Sequence, residues 1–132
     1  MDNHVRSLEG LARQVRIAYE SGDVASFAEL LDPNVRWGPP GDPAPPCQNR
    51  EQVLAWYERG SQAGMTARVS EVSVLGDRIL VGLMVADSKA SKQRGGAAAR
   101  WQLLTVREGR VVDIVGFEQK SEALDWAESP AR

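Results

Sequence analysis

At 132 residues, with 42% hydrophobic and 26% charged residues and a formal net charge of −2, the chain is sized for one domain, residues 1–132, burying roughly two-thirds of its unfolded surface in one core. The near-neutral balance argues against a nucleic-acid partner, no apolar run approaches the roughly 20 residues of a membrane span, and MDNHVRSLEG lacks the pattern of a signal peptide. One cysteine, Cys47, and one histidine, His4, exclude an internal disulfide, a multi-cysteine zinc site and a histidine cluster, so a cytoplasmic protein without metal or cofactor is expected.

Val5, Leu8, Leu11, Ala12, Val15 and Tyr19 recur at helical spacing, with Arg6, Glu9, Arg13 and Arg16 largely opposite, which predicts an amphipathic helix stopping near Ser21-Gly22. Asp23 is placed to cap a shorter helix through Leu31, ended by Asp32-Pro33-Asn34 and followed by a short strand, Val35–Trp37. Residues 38–49, GPPGDPAPPCQN, hold five prolines and two glycines and read as a stiff irregular loop. Asn49 then caps a third helix, Arg50–Gly60.

From Thr66 the period changes to strand. ARVSEVSVL and RILVGLMVAD flank Gly76-Asp77, a two-residue hairpin loop with Gly first. Ile79–Ala86 is apolar on both faces, so both are covered: one by the helices, the other by a second subunit, a homodimer through the sheet. Residues 88–96 form a polar connection into a second hairpin, Ala97–Glu118, around Glu108-Gly109. Counting outward pairs Thr105 with Val112, Leu103 with Ile114, Trp101 with Gly116 and Ala99 with Glu118 on one face. Arg100, Gln102 and Asp113 fall on the other, as surface or interface polar groups; a slip of one residue would exchange the faces. SEALDWAES is a short C-terminal helix or tail. Helices at one end and a meander at the other give an α+β fold, a curved antiparallel sheet wrapped around the N-terminal helices.

This order, with the segments YESGDVASFAELLDPNVRW, CQNREQVLAWY and LLTVREGRVVDIVGFE, resembles the nuclear transport factor 2-like superfamily, and within it the SnoaL-like group. The resemblance covers about Leu8 to Glu118 and implies a cystatin-like cone with a pocket between the concave sheet and the helices. The superfamily includes ketosteroid isomerase, polyketide cyclases, epoxide hydrolases, dehydratases and non-catalytic binding or assembly modules, so it does not by itself name the chemistry. Where the isomerase carries its base, oxyanion-hole tyrosine and partner acid, this chain has Gly38, Val15 and Trp101. The histidine and aspartate described for SnoaL-type cyclases lack a pocket histidine here.

By the same comparison, Leu80, Gly82, Met84, Ala86, Ala99, Trp101, Leu103, Thr105, Ile114 and Gly116 line the concave face, joined by Val15, Tyr19, Trp56 and Tyr57 from the helices and Trp37 near the mouth. Glycines there either leave room for an apolar small molecule or relieve strain where the sheet bends. Glu71 and Glu118 are the carboxylates turned inward, a candidate acid/base pair, and Tyr19 is a candidate polariser of a ligand oxygen. Cys47, with no histidine to activate it, reads as an inert packed thiol. Two functions stand side by side. One is a SnoaL-like enzyme of isomerase, cyclase, hydrolase or dehydratase type, acting on an apolar or cyclic, polyketide-like substrate. The other is a non-catalytic module binding a small ligand or a protein.

Overall fold

The computed structural model describes residues 8–21, 24–42, 45–62, 64, 66–86 and 98–128. The expected roles of Val5, Asp23 and the 88–96 connection lie outside these residues. Helix α1 (Leu8–Ser21) buries Leu11, Ala12, Val15 and Ala18, the stripe expected from the spacing. Helix α2 (Val24–Ala28) is shorter than the expected run to Leu31, because strand β1 (Leu31–Gly38) already begins there. Asp32-Pro33-Asn34 is an irregularity inside β1 rather than a helix end: the Asn34 amide donates to Asp32 Oδ1 (2.9 Å), and the pairing with the last strand shifts between Leu31 and Arg36. Helix α3 (Arg50–Gln62) starts under the Asn49 cap, whose Oδ1 accepts from the Gln52 amide at 2.9 Å.

Strands β2 (Thr66–Leu75), β3 (Arg78–Ala86), β4 (Ala98–Arg107) and β5 (Arg110–Phe117) form an antiparallel meander, and β1 adds to β5 in parallel, giving the order β1-β5-β4-β3-β2 in an open, curved sheet. Both hairpin loops are where the glycines place them. Gly76 has φ 66°, and Glu108 and Gly109 have φ 55° and 78°, the left-handed values that tight hairpins require.

Beyond the loops the register departs from simple counting. Val106 pairs with Val111 but Thr105 pairs with Asp113, so Val112 is an extra residue and every later pair moves by one: Leu104–Ile114, Leu103–Val115, Gln102–Gly116, Trp101–Phe117. A second bulge, at Ser70, sets Glu71 opposite Gly82 and Val69 opposite Leu83. The faces follow. Val69, Ile79, Val81, Leu83, Leu104, Val111 and Ile114 form one core with α1, α2 and α3. On the convex side Leu80, Leu103, Val115 and Phe117 form a second core with Ala123 of helix α4 (Lys120–Glu128). The expected assignment of β3 and β4 is therefore inverted: Leu80, Gly82, Met84, Trp101, Leu103 and Thr105 lie on the convex face.

Helix α4 supplies much of the convex cover that the sequence reading gave to a second subunit. Glu122 Oε1 accepts from the Gln119 amide at 3.3 Å, the return contact of a capping box. At its other end Arg78 donates to the carbonyls of Trp126 (3.3 Å) and Ala127 (3.1 Å), completing carbonyls that a helix C-terminus leaves open. Lys120 meets Glu71 Oε1 at 2.9 Å and lies 5.6 Å from the centre of the Trp101 ring.

Trp101 in turn lies across Gly82: a Cβ built there would stand 2.5 Å from the indole Cζ3 and 2.8 Å from Ser70 Oγ. Gly82 is thus a packing requirement of the convex face, not space in a pocket. Gly82→Ala is expected to cost about 1–3 kcal/mol, the usual range for overpacking. The cost should shrink in a Trp101→Ala background. Urea unfolding of the two single variants and the double variant measures both; equal costs in the two backgrounds would show that the indole is not the obstacle.

Candidate ligand-binding site

A cavity of about 850 Å³ opens between the concave face and the three N-terminal helices. Its walls are aromatic. Tyr19 of α1, Phe27 of α2 and Tyr57 of α3 meet edge to face, with Tyr19–Phe27 centroids at 5.1 Å and Phe27–Tyr57 at 5.0 Å. Trp37, near the end of β1, lies against Trp56 of α3 at 5.2 Å. Trp56 stays 45% exposed, which places it at the mouth. The proline-rich loop is drawn to that mouth by a pair of backbone bonds, Trp37 N–H to Cys47 C=O (3.0 Å) and Cys47 N–H to Trp37 C=O (3.2 Å). Pro45 then packs on Gly38, where a Cβ would come within 2.6 Å of it.

Gln102 is the buried polar residue at the centre, 8% exposed. The Tyr19 hydroxyl donates to its Oε1 at 2.5 Å. Its Nε2 donates to the Tyr57 oxygen at 3.2 Å, leaving the Tyr57 proton only a long return contact to Oε1, 3.4 Å. Desolvation holds the Tyr19 phenol well above its ordinary pKa of 10.0, reinforced by the neighbouring Tyr57. Tyr57 is raised as well, by desolvation first, with hydrogen bonding from Tyr19, Gln102 and Trp37 pulling the other way. At Trp37 the approach falls short of a well-formed bond, and the indole N–H is buried without a partner. The interior therefore presents donors on an apolar wall. Glu20, Arg59, Arg100 and Glu118 bring charge to its lining, Arg59 sitting 5.9 Å over the Trp56 ring.

Of the residues expected at the site, Tyr19, Trp37, Trp56, Tyr57, Gly116 and Glu118 do line this cavity. Val15 and Ile114 face it from the concave side but are fully buried in the core behind it. Trp101 borders the cavity, yet its indole lies on the opposite face over Gly82. Gly82, Met84, Leu103 and Thr105 are placed outside by the strand alternation. Glu71 is corrected most sharply. On the convex face it pairs with Lys120 and accepts from Ser73 Oγ at 2.9 Å, contacts that lower its pKa below the ordinary 4.5. A carboxylate held ionised outside the cavity is no partner for Glu118. Conversely Gln102 and Arg100, expected on the outer surface, line the cavity, as do Phe27, Arg59, Leu83 and Val85. A lone amide between Trp101 and Leu103 in an apolar strand was the available signal for Gln102, since a buried amide needs partners. Cys47 is buried, and its thiol is pushed up by desolvation against the opposing pull of Arg59, in keeping with an inert role. Among the described residues no three of His, Cys, Asp and Glu gather as metal ligands, and no helix is long and apolar enough to cross a membrane.

Helices on the concave side of an open curved sheet, enclosing a cavity at the wide end, define a nuclear transport factor 2-like, cystatin-like fold. The chain belongs to the SnoaL-like domain family, whose model matches residues 11–114. Among solved structures, Bal32a from a soil-derived mobile gene cassette is 24% identical with a TM-score of 0.66, over 92% of this chain and 95% of that one. A candidate SnoaL-like polyketide cyclase from Jannaschia sp. CCS1 is 19% identical with a TM-score of 0.66, over 96% and 98%. A candidate ketosteroid isomerase from Kribbella flavida DSM 17836 is 19% identical with a TM-score of 0.67, over 84% and 76%. At these identities the likeness establishes the fold. No match was found among curated proteins.

Tyr19 and Tyr57 are the chain's two tyrosines, so alkaline titration reads this site alone. A phenol whose folded pKa is raised contributes full stability below its unfolded pKa near 10, and that contribution is lost as pH rises through the folded value. Absorbance of tyrosinate is expected to stay absent through pH 10 and then to appear together with loss of the near-ultraviolet circular dichroism signal. Two smooth ionisations near pH 10 in a folded protein would contradict the desolvated tyrosine pair.

Proposed function

We propose that the cavity binds a flat, largely apolar small molecule carrying a carbonyl or similar oxygen acceptor, and that the Tyr57 hydroxyl, backed by Gln102 and Tyr19, donates to that oxygen. The observation that carries this reading is the Tyr19–Gln102–Tyr57 chain on the wall of the aromatic chamber, in which the Tyr57 hydroxyl donates only over a long 3.4 Å contact to Gln102 Oε1 that a ligand oxygen could replace. Both phenols remain protonated at neutral pH and so act as donors, not bases. Donors fixed in a desolvated chamber stabilise negative charge developing on oxygen, the feature shared by isomerase and cyclase chemistry on a carbonyl compound. Membership of the SnoaL-like family supports a small-molecule enzyme. In that role Glu118, a carboxylate on the cavity lining, is the proton acceptor in place of the expected pair with Glu71. Loss of that pair favours the second reading, a ligand-binding module without turnover.

Binding of 2-acetylnaphthalene, followed by tryptophan fluorescence, tests the donor. Tyr57→Phe should weaken it roughly three- to tenfold, the worth of one hydrogen bond, with little change in shape of the chamber; unchanged affinity would remove Tyr57 from the site. Exchange of the ketone's α-hydrogens in D2O, lost in Glu118→Gln, separates enzyme from binder: exchange marks acid/base turnover, and its absence with intact binding leaves the binding module. A homodimer through the convex sheet left open around Met84, 38% exposed, belongs to the same proposal. Sedimentation velocity decides that part, since a single 14.4 kDa species would remove it.

A further inference from the structure

Gly116 is a glycine with no local reason to be one. It sits inside β5 as the cross-strand partner of Gln102. Its backbone is outside the left-handed region, so any residue could adopt it, and a Cβ built there meets nothing within 4 Å. Glycine weakens a strand interior, where β-branched residues are favoured. Gly38 and Gly82 are walled in by Pro45 and Trp101; Gly116 faces open space.

That space has two sides. Gly116 lines the 850 Å³ aromatic chamber and also a second depression of about 650 Å³, walled by Pro40, Phe117, Glu118, Glu122, Asp125 and Trp126, where β5 ends and α4 begins. The two share Gly116, Phe117 and Glu118; the surface of the outer depression is mostly apolar, with the carboxylates of Glu118, Glu122 and Asp125 along it. A Cβ at 116 would stand in open space, at a residue that borders both depressions. We infer that Gly116 is a specificity-determining residue, keeping open a passage through which an elongated ligand runs from the aromatic chamber to the outer groove beneath Pro40 and Trp126. The inference rests on the carbonyl-binding reading above and narrows it. The ligand is a ring-bearing ketone or its equivalent with an extended apolar arm. The ring and oxygen lie against Tyr57, and the arm crosses Gly116.

A homologous series of n-alkyl phenyl ketones, acetophenone to dodecanophenone, tests this by fluorescence titration of the native protein and of Gly116→Leu. In the native protein affinity should rise about three- to fourfold per added methylene, the increment for burying one CH2, and keep rising into the long members. In Gly116→Leu the dependence on chain length should flatten once the arm reaches position 116. Tyr57→Phe should lower every member by a similar factor and leave the slope unchanged. Gly116→Ala, a smaller obstruction, should flatten the slope partway and stands in if the leucine variant loses its native circular dichroism. An equal slope in the native protein and the folded 116 variants overturns the passage while leaving the ketone site intact. Failure of the native protein to bind any member overturns the ketone site itself, and the passage with it.

Discussion

Burying a primary amide in an apolar cavity is unfavourable unless its oxygen and nitrogen are both matched, and at Gln102 the matching groups arrive from two helices distant in sequence. Tyr19 comes from the last turns of α1 and Tyr57 from the middle of α3, with Phe27 of α2 wedged between the two rings. The same contacts that satisfy the amide dock the helices on the sheet, so the polar groups of the cavity and the packing of the cone are one structure. Removing the amide's partners would leave an unsatisfied buried group, a cost of about 1–3 kcal/mol each, which ties the site's polarity to the stability of the fold.

Gln102 reaches that position through an irregularity. Val112 is an added residue in β5, and its effect is to set Gly116, not Val115, beside Gln102. Local sequence carried no mark of it, because Val111 and Val112 are both β-branched and either suits a regular strand. β3 offered no correction, since Ile79–Ala86 is apolar on both faces and satisfies either orientation. The hairpin loops, the Asn49 cap, the stripe of α1 and the element order were legible because each rests on nearby residues. Membership of the pocket was legible where it depended on helices and on the mouth, as for Tyr19, Trp37, Trp56 and Tyr57. It was lost on β3 and β4, where it depended on a register set elsewhere. The hidden role of α4 has the same origin: SEALDWAES shows a helix, but only the position of Arg78 and the capping by Glu122 show that it closes over the convex sheet.

Three glycines illustrate how one residue type serves different physical ends. Gly38 admits Pro45 and fastens the loop; Gly82 admits the Trp101 ring and, through Lys120, ties α4 to β2; Gly116 admits nothing of the protein. In sequence they are equivalent, each a glycine in or at the end of an apolar strand. What distinguishes them is the contents of the volume that a methyl group would occupy, which follows from the tertiary arrangement.

The proline-rich segment at the mouth has a further thermodynamic consequence. Pro39, Pro40, Pro45 and Pro46 each fix a backbone torsion even in the unfolded chain, and the paired backbone bonds between Trp37 and Cys47 hold both ends of the segment against β1. Little conformational entropy is left at these four prolines to be surrendered on folding. That part of the ordering cost at the mouth is already met in the unfolded chain.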